Sequence, residues 1–306
     1  MIILRFNGEL FKTFCIYFGL QFLPACLDTV CIYAQFLSRS FKSVESIKNY
    51  INGIRLMHLI NGFEFSYLQS LPLRLTLRGI ATKKSHLPKR ALPVTPEILY
   101  DMFKILDKGN PSDVTFWCLF LIAFFMFSRK SNLVPISISK FDSNKQFCRK
   151  DFSVKGHYLV ISVRWSKTIQ FGQRVLEIPL AAIPHSNLCP VKAFTQMCKS
   201  VPAGSNDPVF CKYLGSRLVP ITYHEFQSKF RELIFHTGRD PSLYSTHSFR
   251  RGGASFAFES NVSSELLQLH GDWRSDVYKK YLEFTLNQKL LVTEKMRDRI
   301  LSLSNI

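Results

Sequence analysis

The sequence is short of acidic residues. It contains 22 Asp and Glu against 40 Lys and Arg, which gives its 306 residues a formal charge of +18 at pH 7. A soluble protein carries such an excess mainly when its partner is polyanionic, so nucleic acid is the first candidate. A basic surface kept for solubility or for an anionic membrane also accounts for the charge. Charge alone therefore does not identify the partner.

Close-spaced cysteine pairs and long apolar runs are also missing. The 8 cysteines include no C-x-x-C pair and no matching run of histidines, so we expect no zinc site. A chain of this size needs no disulfides, and we expect free thiols in a reducing compartment. The longest uncharged apolar run, residues 116–127, has 12 residues. A membrane-spanning helix needs about 20, so this run predicts a buried helix. Charges near the N-terminus argue against a signal peptide and place the protein inside the cell.

The first part of the chain has apolar residues at helical spacing between positions 10 and 80, for example Leu27, Val30 and Ala34. We interpret residues 1–80 as a small all-helical unit. Residues 81–94 are basic and punctuated by prolines, which predicts a linker. The charge of this segment suits a strap along a phosphate backbone, although a plain solvated connector has the same composition.

A second unit is predicted over residues 95–306. Thr95 and Pro96 are typical of an N-cap and a first helical residue. Residues 158–164 alternate like a strand, and residues 175–180 supply the returning strand of a hairpin. Helices follow Pro190, and residues 290–306 read as an amphipathic helix. The predicted fold class is mostly α with a small antiparallel β-sheet.

Chemistry concentrates in three short segments, T-H-S-F-R-R-G-G at 246–253, H-G-D-W at 270–273 and Y-K-K-Y at 278–281. On a helix, His247 and Arg250 share one face and can hold one phosphate together. Gly252 and Gly253 each cost about 1 kcal/mol relative to Ala in a helix interior, so a packing or functional demand must offset them. Three nearby residues are interpreted as local structure: His270 and Asp272 as turn groups, and Asp276 as a helix-start residue.

The order H-x-x-R, G-x-W and then a tyrosine eight residues after the tryptophan resembles the signature of the tyrosine recombinase, or phage-integrase-like, family. The closest resemblance is to recombinases carried by eukaryotic mobile elements. It implies a helical, SAM-like core-binding domain over residues 1–80 and an α+β catalytic domain over residues 95–306. It also implies His247 and Arg250 as the central pair, Trp273 at a position that holds His or Trp, and Tyr281 as nucleophile. Tyr278, interpreted as one helical turn earlier, is the rival nucleophile.

The family has an earlier arginine at the end of a buried helix, and Arg129 occupies that place. Lys130 is its neighbour and alternative, but a lysine lacks the planar fork of a guanidinium. Where the family has an acidic residue three places later, this sequence has Asn132. The family also has a lysine on the β-hairpin. Lys167 fits that position, and Arg164 and Lys155 compete for it.

By resemblance, these residues imply phosphoryl transfer without a metal, another cofactor or ATP. Arg129 and Arg250 would stabilise the charge on phosphate oxygens, and the Trp273 indole would donate a further hydrogen bond. Tyr281 would attack while His247 takes its proton, and Lys167 would protonate the departing 5′ oxygen. The resulting 3′-phosphotyrosyl bond conserves the energy needed to rejoin the strand.

We expect double-stranded DNA as the partner, a homo-tetramer on that DNA, and no membrane. The helical unit begins late for the family, so we expect it to be incomplete at its start. We expect residence in the nucleus of a eukaryotic host, with Lys83-Lys84 and Lys89-Arg90 as import-like pairs, and otherwise in the cytoplasm. Two alternatives stay open: a DNA-binding relative that no longer cuts, and a type IB topoisomerase-like nickase.

Overall fold

The computed structural model describes residues 2–85, 90–166, 169, 174–282 and 286–303. The chain divides into two compact units, Met1–Lys89 and Arg90–Ile306. The predicted catalytic lysine, Lys167, lies outside the described residues, as does Lys89. Among the helices that are described, none has both the length and the apolar character needed to cross a bilayer.

The first unit is built from four helices, as the helical spacing of its apolar residues predicts. Its largest fully buried side chains include Phe11 on the first helix and Tyr33 on the second, whose ring centroids are 5.0 Å apart. Ile47, Ile51 and Ile54 follow one face of the third helix and complete this core. The helices are α1 (Ile2–Tyr17), α2 (Leu27–Ser40), α3 (Val44–Ile60) and α4 (Leu71–Lys84), with a short 3-10 helix at Tyr67–Gln69.

The second unit is mostly helical with two small antiparallel sheets. Its helices are α5 (Pro96–Ile105), α6 (Pro111–Phe125), α7 (Lys130–Leu133), α8 (Pro190–Ser200), α9 (Tyr223–His236), α10 (His247–Glu259), α11 (Ser264–His270) and α12 (Leu286–Leu303). Its strands are β1 (Phe152–Lys155), β2 (Tyr158–Val163), β3 (Leu176–Ala181), β4 (Cys211–Leu214) and β5 (Arg217–Pro220). Short 3-10 helices lie at Ile138–Lys140, Arg149–Asp151, Pro241–Leu243 and Asp276–Lys280.

Helix α6 is the buried helix that the apolar run predicts. It begins after Asn110, whose side chain accepts a hydrogen bond from the Ser112 N–H, and Pro111 occupies its first turn. Every residue from 114 to 124 is buried. The Phe120 ring stacks on Phe249 of α10 at 5.4 Å between centroids, which fixes α10 beside α6.

The predicted hairpin is present as β2 and β3, which pair antiparallel with Ile161 opposite Ile178. Strand β1 adds a third strand in the order β1-β2-β3, and β4 with β5 forms a separate two-stranded sheet. Strands β1, β4 and β5 were not predicted from the sequence. Each has only four residues, too short for a clear alternating pattern.

The linker predicted over residues 81–94 is shorter in the structure. Helix α4 continues through Lys84, so the basic residues there extend a helix. At the other end, the Leu92 N–H donates to the Leu243 carbonyl at 2.8 Å and the Val94 N–H to the Ser248 carbonyl at 3.0 Å. Val94 is fully buried, so this segment belongs to the second unit.

Candidate active site

The two consecutive glycines of α10 allow two backbone segments to approach the helix closely. A Cβ at Gly252 would lie 1.8 Å from the Val94 carbonyl oxygen, and a Cβ at Gly253 would lie 2.1 Å from the Phe124 carbonyl oxygen. Both distances are far inside van der Waals contact. The packing demand predicted from the sequence is therefore the close fit of α10 between the 91–94 segment and the C-terminal end of α6.

We expect Gly252→Ala to destabilise the second unit, because the neighbouring atoms are backbone and cannot rotate away. Overpacking of this kind costs about 1–3 kcal/mol, which lowers Tm by several degrees. Gly79→Ala is the matched control, since Gly79 lies within α4 and a Cβ there meets nothing within 4 Å. It should raise the stability of the first unit by up to about 1 kcal/mol. Calorimetry of both variants checks the pair, and an unchanged Tm for Gly252→Ala contradicts it.

Arg250 occupies the centre of the site and is only 3% exposed. Its guanidinium donates to the carbonyl of Phe127, at the end of α6, and to the carbonyl of Gly271 at 3.1 Å. Phe127 adopts a left-handed backbone with φ of 48°, which re-aims the chain where α6 stops. Burial, and then the positive charge of Arg129, lower the pKa of Arg250 to about 10, so it is charged at neutral pH.

Trp273 and Tyr281 both pack on this guanidinium. The Arg250 Cζ lies 4.2 Å from the Trp273 ring centroid and 5.3 Å from that of Tyr281. The indole folds back on its own loop, since a Cβ at Gly271 would lie 1.8 Å from Trp273 Cζ3. Within the described part of the chain, Arg250 Nε and Trp273 Nε1 are buried without a hydrogen-bond partner. Two donors beside one tyrosine form a cradle for an anionic oxygen.

The two candidate nucleophiles have different surroundings. Tyr281 is half-buried, and its ring packs on the Arg250 guanidinium, with 5.3 Å between the ring centroid and Arg250 Cζ. Tyr278 is 3% exposed and packs against Trp273 with 6.0 Å between ring centroids. Its segment is a 3-10 helix, Asp276–Lys280, which ends before Tyr281. A 3-10 helix has three residues per turn, so Tyr278 precedes Tyr281 by one turn, and the Tyr281 N–H donates to the Tyr278 carbonyl at 2.8 Å. Asp276 opens this helix, where a helix-start residue was predicted.

Arg129 lies directly before α7 and is half-buried. Its charge lowers the pKa of both Arg250 and His247, so the structure brings all three together. The backbone N–H of Asn132 donates to the Arg129 carbonyl at 3.0 Å, and the side-chain oxygen of Asn132 accepts from the Ser131 hydroxyl. The Lys130 ammonium lies 4.9 Å from the Tyr223 ring centroid, at the edge of the same site.

His247 begins α10 and has an exposed side chain at the rim of the site. Partial desolvation lowers its pKa below the ordinary value, and the positive charges of Arg250, Lys130 and Arg129 lower it further. At neutral pH the imidazole is therefore mostly uncharged and able to accept a proton.

Two residues of the segment between β2 and β3 contact Asp272, which is next to Trp273 of the site. Ser166 donates from its hydroxyl to Asp272 Oδ2 at 3.2 Å, and Arg174 forms an ion pair with the same carboxylate. The two other residues considered for the role of the catalytic lysine do not contact Asp272 in the structure. Arg164 makes paired hydrogen bonds to Asp151, both at 2.6 Å, and Lys155 is an exposed residue at the end of β1.

No protein-family model matches the chain. A curated relative, the integrase/recombinase xerD homolog of Selenomonas ruminantium, is 24% identical over 262 residues, covering 83% of this chain and 72% of the relative. XerH recombinase bound to palindromic difH has a TM-score of 0.57 at 15% identity, covering 93% of this chain and 75% of that chain. A variant of the Tn1549 transposon integrase with transposon right end DNA has a TM-score of 0.59 at 14% identity, covering 89% and 85%. A lambda integrase dimer on a core site has a TM-score of 0.52 at 14% identity, covering 91% and 87%.

These likenesses span both units and share the fold, and the relative aligns along most of the chain. The chain has the fold of the tyrosine recombinases and integrases, and it aligns with a recombinase relative along most of its length. The predicted fold class, mostly helical with a small antiparallel sheet, is confirmed.

Several contacts of the site were not predicted from the sequence. Asp272 was predicted to be a local turn group, but the Asp272 carboxylate binds Ser166 and Arg174, which lie 106 and 98 positions away in sequence. The Phe127 carbonyl was not predicted as a partner of Arg250 either. His270 does act locally, with Nε2 2.8 Å from the Phe125 carbonyl oxygen. Asp272 has a positive φ, which cannot be read from the sequence. Aspartate tolerates a positive φ better than most residues, so its residue type was the available indication of an unusual backbone there.

The lowered pKa of His247 predicts how DNA cleavage at this site should depend on pH. If neutral His247 accepts the proton, cleavage should persist as pH falls through 6.5 and decline only at lower pH. Lys130→Met removes one positive charge near the imidazole, so its pKa should rise and the acid limb should move up toward 6.5. Single-turnover cleavage across a pH series, with NMR titration of His247, checks this.

Lys279→Met is the control for that experiment, because Lys279 is exposed and paired with Asp276. It should leave the acid limb where it is. A midpoint that stays fixed or moves down in Lys130→Met contradicts the electrostatic account of His247.

Proposed function

We propose that this chain cuts one strand of duplex DNA and rejoins it through a covalent 3′-phosphotyrosyl bond at Tyr281. One observation carries the proposal: a buried guanidinium, Arg250, packs on both Trp273 and Tyr281, and buried donors of Arg250 and Trp273 point to no protein acceptor among the described residues. A phosphate is the anion that fits a tyrosine beside such donors in a chain of charge +18.

In this proposal each group has one role. Arg250 and Arg129 donate to non-bridging phosphate oxygens and stabilise the charge of the transition state. The Trp273 indole N–H donates to the same group and closes the wall of the site. The phenol oxygen of Tyr281 attacks phosphorus, and neutral His247 takes its proton. The bond from phosphorus to the 5′ oxygen breaks as Lys167 donates a proton to that oxygen.

The partner is double-stranded DNA, and binding should depend strongly on salt. A protein that contacts about six to ten phosphates loses about 10³-fold or more in affinity between about 50 and 200 mM salt. Anisotropy of a labelled duplex at two salt concentrations measures this. An affinity that does not change with salt contradicts phosphate contacts as the source of binding.

The wider arrangement is also part of the proposal. The four-helix unit before residue 90 serves as the core-binding domain, and the second unit carries the chemistry. Strand exchange uses a homo-tetramer on two duplexes. The resemblance to recombinases of eukaryotic mobile elements stays a proposal, because the relatives reported above include a Selenomonas ruminantium protein and a bacterial transposon integrase.

Covalent trapping tests the function. A pool of nicked duplexes with randomised sequence around the nick is incubated with the protein and EDTA, because no metal belongs to the proposal. Denaturation with detergent then leaves only covalent adducts on the gel. Protein-linked DNA is expected.

Two other outcomes identify the alternatives. Salt-sensitive binding with no adduct indicates a relative that no longer cuts, for which Asn132 in place of an acidic residue is the motivating feature. Relaxation of a supercoiled plasmid by monomeric protein, with no exchanged product, indicates a topoisomerase-like nickase.

A further inference from the structure

The first turn of α10, which carries His247, is bonded to a side chain of α9. Thr246 comes directly before His247, is buried, and already has a helical backbone with φ of −59° and ψ of −19°. Its N–H donates to the side-chain oxygen of Gln227 at 3.0 Å. The His247 N–H donates locally, to Ser245 Oγ at 3.3 Å. Gln227 therefore ties the start of α10 to another helix.

The same face of α9 also contacts the segment that follows Arg129. Tyr223 lies four residues before Gln227, one turn earlier on that face. Its N–H donates to the Pro135 carbonyl at 2.9 Å, and the Lys130 ammonium lies 4.9 Å from its ring centroid. One helix face thus contacts both chain segments that bring positive charge and the imidazole to the site.

The rest of α10 is held by contacts of its own. The Ser248 carbonyl accepts from the Val94 N–H at 3.0 Å, and the Phe249 ring packs 4.5 Å from the Phe230 ring of α9. The Arg250 guanidinium donates to two carbonyls outside the helix. Loss of the single bond from α9 to the first turn should therefore leave the helix and the guanidinium in place.

We propose that Gln227 is a positioning residue for His247, which takes the proton of Tyr281 in the proposed function. This inference rests on that function. A proton acceptor must lie within hydrogen-bond reach of its donor, and a displacement of about 1 Å can cost about 10²-fold in rate. The bond from Gln227 fixes the backbone directly before His247, so it limits where the imidazole can reach.

The step that Gln227 affects is the attack of the tyrosine. The bond from the Tyr281 oxygen to phosphorus forms, and the bond from phosphorus to the 5′ oxygen breaks. The phenol proton passes to the His247 imidazole, while the departing oxygen takes its proton from the general acid. Gln227 touches none of these atoms in this account. It acts through the backbone of Thr246.

Two variants of Gln227 separate the hydrogen bond from the shape of the side chain. Gln227→Met removes the acceptor and keeps a side chain of similar length. Gln227→Glu keeps an oxygen that accepts from the Thr246 N–H. Within the described residues Gln227 Nε2 has no hydrogen-bond partner, so its replacement by oxygen breaks no bond. Gln196→Met is the matched control, because it makes the same change at an exposed glutamine of α8.

The experiment measures the rate of adduct formation on the trapping duplexes at a temperature where every variant is folded. Gln227→Met should slow adduct formation by about tenfold to a hundredfold, and Gln227→Glu should recover most of that loss. His247→Ala should slow it by about 10²-fold or more. Adding Gln227→Met to His247→Ala should cause little further loss, because no imidazole remains to be positioned. Gln196→Met should match wild type.

Equal slowing by Gln227→Met in the wild-type and His247→Ala backgrounds would overturn the inference, because it would place the defect in phosphate binding or folding. A wild-type rate in Gln227→Met, or no recovery in Gln227→Glu, would overturn it too. If wild-type protein forms no adduct, the proposed function fails and this inference fails with it. That result is distinct from an active wild type whose two substitutions act independently.

Discussion

Tyr281→Phe should abolish the covalent adduct with DNA, whereas Tyr278→Phe should retain it. The Tyr281 side chain is half-buried and its ring centroid lies 5.3 Å from Arg250 Cζ, so it is beside the group proposed to hold the phosphate. The Tyr278 ring is buried against Trp273, and phenylalanine preserves that packing. The measurement is the gel-based trapping assay on both variants with the same duplex pool.

The comparison is matched because each variant removes one oxygen from one of two tyrosines three positions apart. Both variants should still bind duplex DNA with the salt dependence of wild type. An adduct that survives in Tyr281→Phe and disappears in Tyr278→Phe would reverse the assignment. Loss of the adduct in both would point to damage to the Trp273 packing rather than to the loss of one nucleophile.

Arg250→Lys should lower the rate of strand cleavage by about 10²–10³-fold, the usual effect of losing one preorganised donor to a transition-state oxygen. The guanidinium bridges the Phe127 and Gly271 carbonyls and still presents Nε. A lysine ammonium is a point charge without the planar fork, so it cannot make these contacts together. Single-turnover cleavage kinetics measure the loss.

Arg149→Lys is the control for that variant. Arg149 is another buried arginine of the second unit, and it donates to the Val201 carbonyl at 2.8 Å, far in sequence from the site residues. Both substitutions should lower Tm, but Arg149→Lys should retain cleavage at temperatures where it is folded. Cleavage at the wild-type rate in folded Arg250→Lys contradicts the role given to Arg250.

Much of the fold was predictable because it follows from local patterns. The uninterrupted apolar run at 116–127 could only be a buried helix, and α6 is one. Alternating residues at 158–164 gave β2, and Thr95 with Pro96 gave the start of α5. The linker was assigned too long because charge and proline content do not distinguish a free connector from a segment paired through its backbone, as residues 92 and 94 are.

The site was predictable where its spacing is local. His247 and Arg250 are three residues apart on one helix. The two glycines after them indicated that another backbone segment packs closely against that helix. The contacts of Asp272 were not predictable, because its partners Ser166 and Arg174 are about a hundred positions away in the sequence. The spacing of Tyr278 and Tyr281 is also local: they lie one turn apart at the end of a 3-10 helix.

Mass spectrometry of the trapped adduct tests the central claim most directly. Digestion after Lys and Arg places Tyr278 in the peptide 275–279 and Tyr281 in the peptide 281–289, so the two tyrosines separate. After nuclease treatment of the linked DNA, we predict a nucleotide joined through a phosphate to Tyr281 and an unmodified peptide 275–279. A nucleotide on any other residue, or a trapped complex with no nucleotide on tyrosine, would contradict the account.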